Sequence, residues 1–85
     1  MVNIDIYKQY DIKLVTQEDQ IEFSEICSKY PFDINLCKGS YQVDAKSVLG
    51  IGTIDTTEGC FVTICSNMDD GIIDKFERDI DKYII

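Results

Sequence analysis

No histidine occurs anywhere in the 85 residues. That removes the side chain that accepts phosphoryl groups on nitrogen, moves protons near neutral pH and completes Ser- or Cys-based dyads. The nucleophiles left to consider are Cys27, Cys37, Cys60, Cys65 and the hydroxyls of Thr16 and Ser47. The cysteines contain no Cys-x-x-Cys pair and have no histidine to join them, so they form no zinc pattern. Each stands where a small apolar residue fits a strand or a helix, and they read as buried, reduced thiols. A glycine-rich phosphate loop is also missing. The chain therefore reads as a non-enzyme with no cofactor and no metal site. Ser47 differs from the rest in its position. It follows the alternating Tyr41-Gln42-Val43-Asp44-Ala45-Lys46 and opens the apolar, glycine-punctuated Val48-Leu49-Gly50-Ile51-Gly52. At such a joint a serine hydroxyl caps a helix by accepting an exposed backbone N–H.

Composition narrows the class. The length suits one domain with a single small core, here taken as residues 1–85. Apolar residues are 45% and charged residues 28%, as in folded soluble domains. The 16 acidic residues outweigh the 8 basic ones, a net charge of −8, which argues against nucleic acid. Apolar runs are too short to span a membrane. Met1-Val2-Asn3-Ile4-Asp5 lacks the basic start and apolar block of a signal peptide, so a cytoplasmic location is expected.

The elements that must position Ser47 can be read in order. Tyr10, Ile12 and Leu14 alternate with Asp11 and Lys13, the period of a half-buried strand. Val2, Ile4 and Ile6 also alternate, but the phase breaks across Tyr7-Lys8-Gln9. Either the strand bulges there or residues 1–8 form a separate arm. Thr16-Gln17-Glu18-Asp19 starts a helix, with threonine as cap and acidic residues at the positive end of the dipole. That helix carries Ile21, Phe23, Ile26, Cys27 and Tyr30, and Pro31 stops it. Phe32, Ile34 and Leu36 alternate in a second strand. Lys38-Gly39-Ser40 turns, and Tyr41, Val43 and Ala45 return as a third. Val48, Ile51 and Ile54 are predicted to face inward from about two helical turns. Cys60–Cys65 is a β-prone strand, and Ser66–Gly71 a loop. Ile73, Phe76, Ile80 and Ile84 then mark one face of a last helix, whose polar side offers an Asp74–Arg78 pair. Tyr10, Tyr30, Tyr41 and Phe61 are expected to pack in the core and on the sheet. The order β-α-β-β-α-β-α predicts a two-layer α+β domain, one face of an antiparallel sheet covered by helices.

This order, with Ala45-Lys46-Ser47-Val48-Leu49-Gly50-Ile51, resembles the HPr family, the small phosphocarriers of the bacterial sugar phosphotransferase system. The likeness runs from about Phe23 to Tyr83. It implies an open-faced β-sandwich whose four-stranded sheet has the order 1-4-2-3. The family accepts phosphate on a histidine in a Gly-[hydrophobic]-His-x-Arg-Pro loop at the start of its first helix. Here the corresponding stretch is Ile12-Lys13-Leu14-Val15-Thr16-Gln17-Glu18-Asp19, shorter and without histidine, arginine or proline. Phosphohistidine chemistry is excluded, and Glu18 and Asp19 would repel a phosphoryl group. Ser47 matches the family's regulatory serine, which a dedicated HPr kinase phosphorylates. It is therefore either a cap alone or a regulatory phosphorylation site. The family also presents an apolar patch to partner proteins. Leu49, and in part Val48, match it, the other reading being that both are half-buried core residues. Lys46 is either a solvated strand-end lysine or part of that surface.

Three functions follow from these readings. One is a non-catalytic, HPr-like regulatory or protein-interaction domain, working through Lys46, Ser47, Val48 and Leu49 with a kinase or a regulator as partner. Another is an atypical phosphocarrier using Thr16 or a cysteine. The third is an unrelated α+β module, oligomeric through its N-terminal arm.

Overall fold

Alternating apolar residues at Ile34, Leu36, Val62 and Ile64 need one covered face, and the structure supplies it. The computed structural model describes residues 6–65 and 70–85. Among them are the strands β1 (Ile6–Ile12), β2 (Asp33–Lys38), β3 (Tyr41–Asp44) and β4 (Cys60–Cys65). The helices are α1 (Gln17–Ser28), α2 (Val48–Ile51) and α3 (Asp70–Ile80), followed by a 3-10 turn at Asp81–Tyr83. The strands form one antiparallel sheet in the order β1-β4-β2-β3. Helices cover one face, where Ile12, Leu36, Val62 and Ile64 meet Phe23, Ile73, Phe76 and Ile80 in one core. Fold class and strand order are those expected from the sequence. No helix among the described residues is long and apolar enough to cross a membrane.

The phase break in β1 is a bulge. Ile6 opposes Cys65 while Lys8 opposes Ile64, so two steps along β1 match one along β4. The alternation of Val2 and Ile4 lies outside the described residues, as does the Ser66–Asp69 part of the predicted loop. The β2–β3 turn forms as expected, with Gly39 at φ +59°, where a side chain would be strained. Thr16 caps α1 in a full capping box with Asp19.

Five expectations need correction. Ile21 is 41% exposed, because α1 is phased by Phe23 and Cys27, and residues two apart lie on opposite sides of a helix. Ser24 is buried instead. Val48 is likewise 41% exposed, whereas Ile51 and Ile54 are buried. The helix α2 is only one turn long and rests on the sheet through Gly50, where an added Cβ would lie 3.2 Å from Val43 Cβ. Ile84 is not helical: it bridges Ile12 in antiparallel fashion, while Ile85 N donates to Asp11 O at 3.0 Å. The chain's last residues thereby cover part of the β1 edge. Tyr41 is on an edge strand and 52% exposed, whereas Tyr30 is buried. Asp74 and Arg78 are not among the ion pairs of the described residues, which are Lys8–Glu77, Lys38–Asp55 and Lys82–Glu22.

One buried polar node holds the start of α1 in place. Thr56, 2% exposed, accepts Leu14 N on its carbonyl at 2.8 Å and donates its hydroxyl to Leu14 O at 2.7 Å. Gln20 Nε2 donates to the same hydroxyl at 3.0 Å. The loop after α2 and the first turn of α1 are thus bolted together from sequence positions far apart.

The cysteines are unpaired thiols, with Cys27, Cys37 and Cys60 buried and Cys65 half-buried. Burial pushes the Cys27 thiol up to about 12, and it raises those of Cys37 and Cys60 as well. In the folded protein an alkylating reagent should modify Cys65 first, the other three reacting only on denaturation, as read by intact mass. Rapid modification of folded Cys27 would contradict this packing. Thr56→Val strands the Leu14 carbonyl and the Gln20 amide, and urea unfolding should show a loss of about 1–3 kcal/mol. Thr56→Ser, which keeps the hydroxyl, should restore most of it.

Candidate functional site

The first turn of any helix leaves backbone N–H groups without partners, and the positive end of its dipole favours an anion there. In α1 a capping box occupies that end: Thr16 Oγ1 caps a first-turn amide, and the Asp19 carboxylate turns back onto the amides just before the helix. Asp19 Oδ2 accepts from Val15 N at 3.1 Å and from Thr16 N at 3.2 Å. Thr16 Oγ1 in return accepts from Asp19 N at 3.0 Å. A phosphoryl group brought to Thr16 would compete for these donors against a carboxylate already bonded to two of them, with Glu18 exposed alongside. The arrangement suits a helix cap and opposes phosphate. Beside it lies an open cleft of about 450 Å³ lined by Lys13, Val15, Asp19, Lys82, Tyr83 and the last two residues. Its Lys82 is engaged with Glu22, which also accepts from the Tyr83 hydroxyl. Both partners hold the Glu22 carboxyl below its ordinary range, Lys82 contributing most. Among the described residues no group of three or more Cys, Asp or Glu side chains is placed to hold a metal ion.

The second predicted site lies where β3 meets α2. Ser47 is extended at φ −105°, and its Oγ accepts from Gly50 N at 3.2 Å. Asp44 organises the approach: its carbonyl accepts Ser47 N at 3.0 Å, and its Oδ1 accepts Lys46 N at 2.9 Å. Lys46 is half-buried, and its Nζ donates to Tyr30 O at 2.7 Å, just beyond the end of α1. An ammonium there meets the unpaired carbonyls and the negative end of the helix dipole. Lys46 is thus a tie between α1 and the α2 joint, and neither a freely solvated lysine nor a free recognition group.

Val48 and Leu49 are the outward part of this joint. Leu49 is 85% exposed, which removes the half-buried reading for it. Two residues that sequence reasoning assigned to the interior are exposed as well, and one of them, Tyr41, lies beside α2. Tyr41 reaches the far end of α2, its hydroxyl 3.0 Å from Thr53 Oγ1. Ile21 is exposed on α1 next to Glu22, which is engaged by Lys82 and Tyr83. The helices α1 and α2 are in contact. A signal for both was present in the sequence: Ile21 falls two positions before Phe23, and Tyr41 opens a short strand at the end of the chain's hairpin. Lys46, Ser47, Val48 and Leu49 are therefore brought together, but as two anchors and two exposed apolar groups.

No family model and no curated protein sequence matches this chain. Solved structures do. The histidine-containing phosphocarrier protein of a mycoplasma is similar over 92% of this chain and 96% of its own, with a TM-score of 0.65 and 20% identity. HPr-C-His from Thermoanaerobacter tengcongensis is similar over 86% of each chain, with a TM-score of 0.64 and 25% identity. The sheet order, the two flanking helices and the short α2 joint make this the fold of the histidine-containing phosphocarriers.

Proposed function

We propose that the chain is a regulatory or protein-interaction domain of HPr type that docks through Val48 and Leu49 and carries no phosphate. The observation that carries this reading is Leu49, 85% exposed on a one-turn helix that is anchored through the buried Ile51 and the Ser47 cap. A leucine so placed gains nothing for folding, whereas a partner would cover it. The absence of histidine supports the loss of phosphocarrier chemistry, and so does the Asp19 carboxylate held at the start of α1 on Val15 N and Thr16 N. On this reading the domain acts in the bacterial cytoplasm among proteins of the sugar phosphotransferase system. Ser47 serves it as a cap. Its hydroxyl already accepts the Gly50 amide, and α2 is too short to offer a phosphate a developed dipole.

Affinity capture from a bacterial lysate with the wild-type chain and with Leu49→Asp tests the docking surface. A protein retained by the first and lost with the second is expected, with both chains melting alike. Identical retention profiles would sink the reading. Incubation with phosphoenolpyruvate and enzyme I should leave the intact mass unchanged, and so should ATP with an HPr kinase. A gain of one phosphoryl group would overturn the non-carrier assignment in the first case and the cap-only role of Ser47 in the second. Ser47→Ala should cost about 1 kcal/mol of stability as the cap is lost.

A further inference from the structure

The backbone of residues 47–54 bonds to itself. Gly50 N donates to Ser47 Oγ at 3.2 Å, Ile51 N to Ser47 O at 3.0 Å and Gly52 N to Val48 O at 3.1 Å. Thr53 N donates to Gly50 O at 3.0 Å and Ile54 N to Ile51 O at 3.1 Å. Breaking these bonds asks nothing of the sheet or of the longer helices. The flanks differ. Ala45, fully buried, donates its N–H to Ile34 O at 2.9 Å, and Thr56 is bonded to Leu14 and Gln20. Between these two fixed points the chain is lightly held. One helical turn is marginal by itself, and Gly50 and Gly52 lower its propensity further. Val48, Leu49, Gly52 and Thr53 are exposed, which leaves Ile51 and Ile54 as the core anchors. Two side-chain bonds supplement them. Lys46 Nζ donates to Tyr30 O at 2.7 Å at the entry, and the Tyr41 hydroxyl lies 3.0 Å from Thr53 Oγ1 at the exit. The first is the stronger, because its donor is charged and half-buried, whereas the second joins two exposed hydroxyls.

We infer that residues 46–54 open as a unit while the sheet stays folded, and that Lys46 is the latch holding this unit to the end of α1. Opening uncovers two isoleucines, whereas unfolding uncovers the whole core, so the open state lies between the native and the unfolded chain in free energy. The bond to Tyr30 O is lost on opening. The other ties of Tyr30 are kept, its hydroxyl on Asp79 and its ring against Phe32 and Phe76. Resting on the docking role assigned above, the unit is also the docking surface, because it carries Val48 and Leu49. Lys46 then regulates how much of the time that surface is ordered.

Hydrogen exchange of the chain alone, followed by NMR at rising but sub-denaturing urea, tests the inference. The amides of residues 50–54 should exchange through an opening that depends weakly on urea, and those of Val62 and Ile64 in β4 through one that depends on it steeply. Lys46→Met keeps the stem and removes the donor, and it should speed exchange of the 50–54 amides about threefold to tenfold. Lys46→Arg should restore protection. Tyr30→Phe keeps the carbonyl and removes only the bond to Asp79, so it should speed exchange in β4 and leave residues 50–54 unchanged. Equal urea dependence in the two groups of amides overturns the unit. Unchanged exchange in Lys46→Met, or faster exchange of residues 50–54 in Tyr30→Phe, overturns the latch. Either result leaves the docking reading to the Leu49→Asp comparison, and failure of that comparison leaves the unit and its latch in place.

Discussion

The fold depends on closing the single apolar face of its sheet, and Phe76 is where that closure is made. Its ring lies 5.1 Å from Tyr30 at 80° and 5.6 Å from Phe32 at 88°, with Tyr10 at 6.5 Å. One residue of α3 thereby touches β1, the end of α1 and the entry to β2. Edge-to-face pairs of this kind add about 0.5–1.5 kcal/mol each beyond the area they bury. Once α3 is seated, the chain after it has one direction to go. Tyr83 packs edge-on to Phe23 at 5.7 Å, and Ile84 is delivered to Ile12 at the sheet edge.

The same closure sets what the surface can do. With α1 held by Thr56 at its start and by Lys46 at its end, little freedom remains in that helix. Polar groups at the starts of α1 and α2 find partners inside the chain. Asp19 turns back onto Val15 and Thr16, while Ser47 turns onto Gly50. The residues left without an internal role are the apolar ones around α2. The polar residues that first drew attention act mainly as fasteners.

Much of the fold was legible in the sequence wherever a local rule is strong. The Ile34/Leu36 alternation, the glycine at position 39 and the return through Val43 define a hairpin by steric and burial rules acting over a few residues. Thr16 three residues before Asp19 signals a cap, because side chain and amide meet within one turn. Legibility failed where several phases compete. Ile21, Val48 and Ile84 are as apolar as their neighbours, and composition alone does not say which side of a short helix meets the sheet. The role of Lys46 was also out of reach, since its partner at Tyr30 is separated from it by a whole strand pair.

The sequence by itself determined the order of the elements and excluded histidine chemistry, because periodicity, caps and the absence of a residue type are local facts. Only the tertiary structure decided that Lys46 is tied down, that Thr56 anchors the start of α1 and that Leu49 stands free. Each of these depends on distances between segments that packing, and not propensity, brings together.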